Sequence, residues 1–138
     1  MNIVFDTNIY IAAFLGRGFI YTLLYKVLDR NSGFTLYYSS DIKTELIEKF
    51  NEGKISSTDV DDLLDSLKEN AVFVNAQEKV DVIKDDPDDN KILECALAAE
   101  ADLVVTMDRH PLKFKSFGGI GIVHPNSFKY MFPKNETR

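Results

Sequence analysis

Apolar residues along this chain follow two rhythms that alternate from one end to the other. Short unbroken runs at Met1–Phe5, Phe34–Tyr38, Ala71–Val74, Ala101–Thr106 and Ile120–Val123 have the length and composition of strands. Between them apolar positions recur at helical spacing: Ile9 to Leu15; Ile20, Leu23, Leu24, Val27 and Leu28 within Phe19–Arg30; Ile42, Leu46 and Ile47 within Asp41–Phe50. Further helices are expected from Ser56 to Lys68, after Asp89 (Ile92, Leu93, Ala96, Leu97, Ala99) and in a short piece ending near Phe132. Gly16-Arg17-Gly18, Asn31-Ser32-Gly33 and Asn51-Glu52-Gly53-Lys54 punctuate the pattern, and Ser39 or Ser40 is placed to cap the third helix. Strands alternating with helices predict an α/β fold, a three-layer sandwich around a central, mostly parallel five-stranded sheet. One domain over residues 1–132 is expected, with 133–138 as a frayed tail.

Composition narrows the class. The chain has 138 residues, 45% hydrophobic and 28% charged, which fits a folded globular protein and argues against disorder. No apolar run approaches the ~18 residues of a membrane span, and the N-terminus lacks the basic region and cleavage pattern of a signal peptide. Cys95 is the only cysteine, which excludes an intramolecular disulfide and a cysteine zinc cage. A cytoplasmic protein without a membrane partner is the expectation. A net charge of −6 disfavours nonspecific nucleic-acid binding, unless several acids hold cations and so reverse the local field. An acidic surface also suits a basic partner protein.

The chemistry concentrates around Asp85-Asp86-Pro87-Asp88-Asp89-Asn90. Pro87 disfavours helix at Asp86, and Asp88 or Asp89 can cap the helix that follows. One Asp is enough for a cap, so the surplus is either a solvated acidic loop or a divalent-metal site. Asp6 and Asp108 each follow a predicted strand, where open α/β sheets place their ligands. Glu45, in the helix after strand two, is placed toward the same crevice. Carboxylates crowded together repel unless they bind protons or metal, and oxygen donors suit Mg²⁺ or Mn²⁺. Such a group fits hydrolytic phosphoryl chemistry, in which paired ions lie ~3.5–4 Å apart.

Val4-Phe5-Asp6-Thr7-Asn8-Ile9, Ser39-Ser40-Asp41-Ile42-Lys43-Thr44-Glu45-Leu46, Asp86-Pro87-Asp88-Asp89-Asn90 and Ala101-Asp102-Leu103-Val104-Val105-Thr106-Met107-Asp108 together resemble the successive motifs of PIN-domain nucleases. The resemblance spans nearly the whole chain and is nearest the toxin-like branch of bacterial and archaeal toxin–antitoxin modules. It implies a Mg²⁺- or Mn²⁺-dependent endoribonuclease acting on single-stranded RNA, with Asp6, Glu45, Asp89 and Asp108 as the catalytic acids. Of these, Asp6, Asp89 and Asp108 would hold metal. Thr7, Asn8, Asp86, Asn90 and Thr106 would support them. Many family members carry the third acid at the position of Asn90; here the Asp-Pro-Asp-Asp variant points to Asp89, with Asp86 nearby. The resemblance also implies an antitoxin protein and a second copy of the chain as candidate partners.

Arg109, Lys113 and Lys115 beside Asp108, and Arg17 between two glycines, are candidates for RNA phosphates, though a solvated loop explains them equally well. His110 and His124 read as surface residues, since neither sits in a nucleophile pattern. The Phe and Tyr residues read as core, and Cys95 as a buried, inert thiol. Other readings are a metal-dependent phosphatase, disfavoured because Asp6-Thr7-Asn8 lacks a second Asp, a receiver-like signalling module, and a non-catalytic PIN fold serving as a binding platform.

Overall fold

A computed structural model describes residues 1–53, 55–84 and 89–132; Asp86 and the expected tail at 133–138 lie outside them. Among the described residues six strands form one sheet: β1 (Asn2–Phe5), β2 (Thr35–Ser39), β3 (Val72–Val74), β4 (Leu103–Val105), β5 (Ser116–Phe117) and β6 (Ile120–Val123). Their order is β3-β2-β1-β4-β6-β5. All neighbours pair in parallel except β5, which runs antiparallel to β6.

Six strands replace the five expected. The extra one, β5, is two residues long, too short to show a period of two. Its turn was nonetheless written in the sequence. Gly118 and Gly119 both have positive φ, 56° and 83°, between the paired residues Phe117 and Ile120. A two-residue hairpin loop of type I′ needs that conformation at both positions, and glycine adopts it without strain.

β1 is the axis of the sheet. Ile3, Val4 and Phe5 are fully buried, flanked by β2 on one side and β4 on the other. The chain leaves β1 for β2 and β3 on one side and reaches β4 on the other only later, so the sheet's order reverses between β1 and β4. Open α/β sheets bind ligands at the carboxyl ends of such a pair. Backbone pairing continues one residue past each strand: Asp6 N–H donates to Val105 O and Thr106 N–H to Val123 O, both at 3.0 Å. Asp6 and Thr106 are therefore held in register although they lie outside the strands.

Helices flank the sheet: α1 (Thr7–Gly16), α2 (Phe19–Leu28), α3 (Ser40–Glu52), α4 (Ser57–Asn70), α5 (Asn90–Ala98), α6 (Arg109–Leu112) and α7 (Pro125–Phe128). Ser39, not Ser40, caps α3, its hydroxyl accepting from Ile42 N–H at 3.3 Å. The single turn α6 was not foreseen; Asp108 caps it, accepting from His110 N–H at 2.9 Å. No helix among the described residues is long and apolar enough to cross a membrane.

α1 is apolar on every side. Ile9, Tyr10, Ala13 and Phe14 enter the core, while Ile11 and Ala12 are half-buried and Leu15 is 62% exposed. The core is aromatic around β1: Phe5 meets Tyr10 and Phe128 edge-on, with ring centroids 6.0 and 5.9 Å apart. Most Phe and Tyr residues pack there, but Phe19, Phe73, Phe114 and Tyr130 remain exposed.

The Tyr10 hydroxyl is buried without a hydrogen-bond partner among the described residues. Desolvating such a group without a bond costs ~1–3 kcal/mol. Tyr10→Phe keeps the ring in place, so it should raise stability by about 1 kcal/mol. Urea melts of the two proteins, compared at equal slope, provide the measurement.

Candidate active site

A cleft of about 460 Å³ opens at the carboxyl ends of β1 and β4. Four carboxylates line it: Asp6 from the end of β1, Glu45 from α3, Asp89 at the start of α5 and Asp108 from the end of β4. Each sits where an element begins or ends except Glu45, which lies in the second turn of α3, on the side facing α1. The distant acidic segments expected to converge are thus brought together.

Asp6 is held from several directions. Its Oδ1 accepts from Thr7 N–H at 2.7 Å, the N-terminal contact of α1, and its Oδ2 accepts from the Thr106 hydroxyl at 2.8 Å. Thr106 Oγ1 in turn accepts from Asp108 N–H at 3.0 Å and from Asn8 Nδ2 at 3.3 Å. Asn8 Oδ1 accepts from Met107 N–H at 3.2 Å. The Thr7 hydroxyl donates to Glu45 Oε1 at 2.6 Å, fixing the acid on α3 to the start of α1. Thr7, Asn8 and Thr106 are therefore the positioning frame of the acids.

Burial drives the Asp6 pKa up from 3.8 to about 6; hydrogen bonds from Thr106 and Thr7 oppose this, and the charges of Glu45 and Asp108 add to it. Crowding of acids contributes as expected, but loss of water is the larger cause.

On the other side of the cleft His110 brings Asp89 and Asp108 together. His110 Nδ1 lies 3.3 Å from Asp89 Oδ2 and 3.5 Å from Asp108 Oδ1. A carboxylate can only accept, so either contact as a hydrogen bond requires a proton on Nδ1. Ligand atoms of Asp89, Asp108 and His110 lie within 4.8 Å of one another, close enough to share one ion. Asp6 is not in that group, although it faces the same cleft. Asp89 occupies the N-cap position of α5 without making a cap hydrogen bond, so its carboxylate is turned to His110 instead of to the helix. His110 is the residue that sequence reasoning passed over; its spacing two residues after Asp108, on the turn that Asp108 caps, was the available signal.

Of the expected site residues, Asn90, Arg17, Arg109, Lys113 and Lys115 lie outside the cleft wall. Asn90 is buried, and its side chain faces the backbone before the acidic segment: Oδ1 accepts from Val82 N–H at 3.0 Å and Ile83 N–H at 2.9 Å, and Nδ2 donates to Ile83 O at 3.0 Å. Asn90 holds a chain segment in place and does not line the cleft. Arg17 also lies off the cleft. It pairs with Asp59 at 2.8 Å and stacks over Phe14 and Tyr21, clamping the α1–α2 turn to α4. Asp86 is outside the described residues. Arg109, Lys113 and Lys115 are exposed on and after α6, near Asp108 in sequence but not in the cleft wall. Cys95 is buried, its thiol pushed up to about 12 chiefly by burial, which fits the inert role expected.

A PIN domain family model matches residues 2–110. The chain belongs to the PIN-domain family. No curated protein sequence matches it. Among solved structures it is similar to a chain of VapBC2 from Rickettsia felis, crystallised with a DNA fragment from the promoter, at 17% identity and a TM-score of 0.63, covering 90% of this chain and 98% of that one. The likeness is one of fold. The sheet order separates this chain from a receiver, whose strands run 2-1-3-4-5; here β3 lies beyond β2.

Two outcomes follow from these bonds. Asn90→Ala leaves the buried Ile83 N–H and carbonyl and the partly buried Val82 N–H without their side-chain partner, so it should destabilise the protein by about 2–4 kcal/mol, read from urea melts. Asp6 bears on pH. Its folded pKa lies above its unfolded value, so stability is highest below pH 4 for this group and is lost as pH rises through 6. At ~1.4 kcal/mol per pKa unit the loss is on the order of 3 kcal/mol. In chelator, Asp6→Asn should flatten that fall between pH 4 and 7 relative to wild type; parallel pH profiles for the two proteins would show that Asp6 ionises without strain.

Proposed function

We propose that this protein is a divalent-metal-dependent endoribonuclease that cuts single-stranded RNA, and the toxin half of a toxin–antitoxin pair. One observation carries the reading: Asp6, Glu45, Asp89 and Asp108, from four distant parts of the chain, line a single cleft at the reversal point of the sheet. The antitoxin rests on less, the fold likeness to a VapBC2 chain together with the sequence motifs.

The donor set fits Mg²⁺ or Mn²⁺. Carboxylate oxygens dominate it, and Asp6 is buried beside Glu45 and Asp108, a place where a cation relieves both repulsion and lost hydration. Asp89, Asp108 and His110 would hold the ion, with Asp6 across the cleft. When bound, it would supply Lewis acidity toward a phosphate oxygen and lower the pKa of a coordinated water. The chain's own groups orient that chemistry. Thr106 aims Asp6 and fixes the backbone of Asp108, while Thr7 aims Glu45 to accept a proton from water on the open side of the cleft. Before an ion binds, a protonated His110 Nδ1 would bridge Asp89 and Asp108, 3.3 and 3.5 Å away, and would give up that proton to act as a ligand.

Purified protein should cleave an unstructured RNA in Mg²⁺ or Mn²⁺ and stop in chelator. Asp6→Asn and Asp108→Asn should each remove most activity, at least a hundredfold in kcat/KM (about 2.7 kcal/mol), with the fold intact by circular dichroism. Asp89→Asn should be comparably damaging. Undiminished cleavage in chelator, or in either of the first two variants, would sink the mechanism.

A further inference from the structure

The acids occupy only one end of the cleft. Along α1 its wall runs from Thr7 and Asn8 to Ile11, Ala12 and Leu15, away from Asp6. Facing it on α3, Glu45 is followed one turn later by Lys49. Lys49 is exposed and is the one cation among the described residues of the cleft wall. The cleft is therefore graded, acidic at the sheet and apolar with a single positive charge at its outer end.

Neither end feature is explained by folding. α1 keeps apolar residues beyond those its core face needs, and Leu15 remains largely in water. A helix apolar all round ordinarily lies inside a protein. Here the surplus side faces a cleft.

We propose, on the nuclease reading above, that this outer half is a subsite for the nucleotide flanking the scissile phosphate. The Ile11–Ala12–Leu15 stripe packs against its base or sugar, and Lys49 neutralises its non-scissile phosphate. The spacing agrees: Glu45 and Lys49 are one helical turn apart, ~6 Å along α3, on the scale of one nucleotide step. Elsewhere the cleft is negative and repels RNA wherever no metal intervenes, so a lone cation there has a large effect on where the strand lies. Lys49 is a binding and positioning residue in this scheme and does not touch the reacting phosphate.

Steady-state cleavage of short unstructured oligoribonucleotides in Mn²⁺ tests the subsite. With four nucleotides as substrate, Lys49→Gln should raise KM roughly three- to tenfold, the scale of one exposed charge-assisted bond, and leave kcat within about twofold. Lys49→Arg should restore KM. A dinucleotide has only the scissile phosphate, so on it wild type and Lys49→Gln should have equal KM. Fluorescence anisotropy of the Asp108→Asn protein should show the same loss of tetranucleotide affinity on adding Lys49→Gln, with a salt slope shallower by ~0.7. Equal KM for wild type and Lys49→Gln on the longer substrate overturns the subsite while leaving the nuclease intact. A lowered kcat at unchanged KM also overturns it, by placing Lys49 in the chemistry. If wild-type protein cleaves no RNA, the nuclease reading itself has failed, and the subsite with it.

Discussion

The structure depends on keeping a carboxylate buried at the end of its most buried strand. Asp6 ends β1, starts α1 through Thr7 N–H, and joins β4 through the Thr106 hydroxyl. A serine or asparagine could cap the helix with no ionisation penalty. A full carboxylate in that place is worth its desolvation only where positive charge can reach it, which ties a structural position to a chemical one. The local frame thus stores unfavourable electrostatics at the mouth of the sheet, held there by the core packed around Ile3, Val4 and Phe5.

Thr106 is the hub of that frame. A hydroxyl has one proton to donate, and here it goes to Asp6, leaving its lone pairs to receive Asp108 N–H and Asn8 Nδ2. The direction of every bond around the residue is set by this one proton. Asn8 completes the arrangement by binding backbone on the far side, at Met107. Acids from opposite edges of the cleft share supports, so their separation is a property of the fold more than of their own rotamers.

Much of this was legible along the chain. Both rhythms of apolar residues located five of the six strands and the longer helices, Asp6 and Asp108 stood out as acids directly after strands, and Glu45 as an acid in the helix after strand two. What could not be read depended on direction in space. Asn90 follows an acidic run as naturally as a site residue would, yet its amide turns to the backbone of Val82 and Ile83. Arg17 between glycines looked available, but a positive φ of 52° closes α1 there and directs the side chain to Asp59. His110 was hidden because a one-turn helix too short for any periodicity brings it against Asp89. Lys49 was hidden for the opposite reason: it sits in an unremarkable helix, and only the position of α1 across from it gives it company.

The sheet ends in a strand of three residues on one side and a strand of two on the other, the latter turned back by the Gly118–Gly119 hairpin. Unpaired backbone along a sheet margin is what lets one chain template another, and margins this short present few such groups. A small protein with an apolar helix left partly in water would otherwise be prone to stack into ribbons. Truncated margins lessen that tendency in a chain that carries such exposed surface.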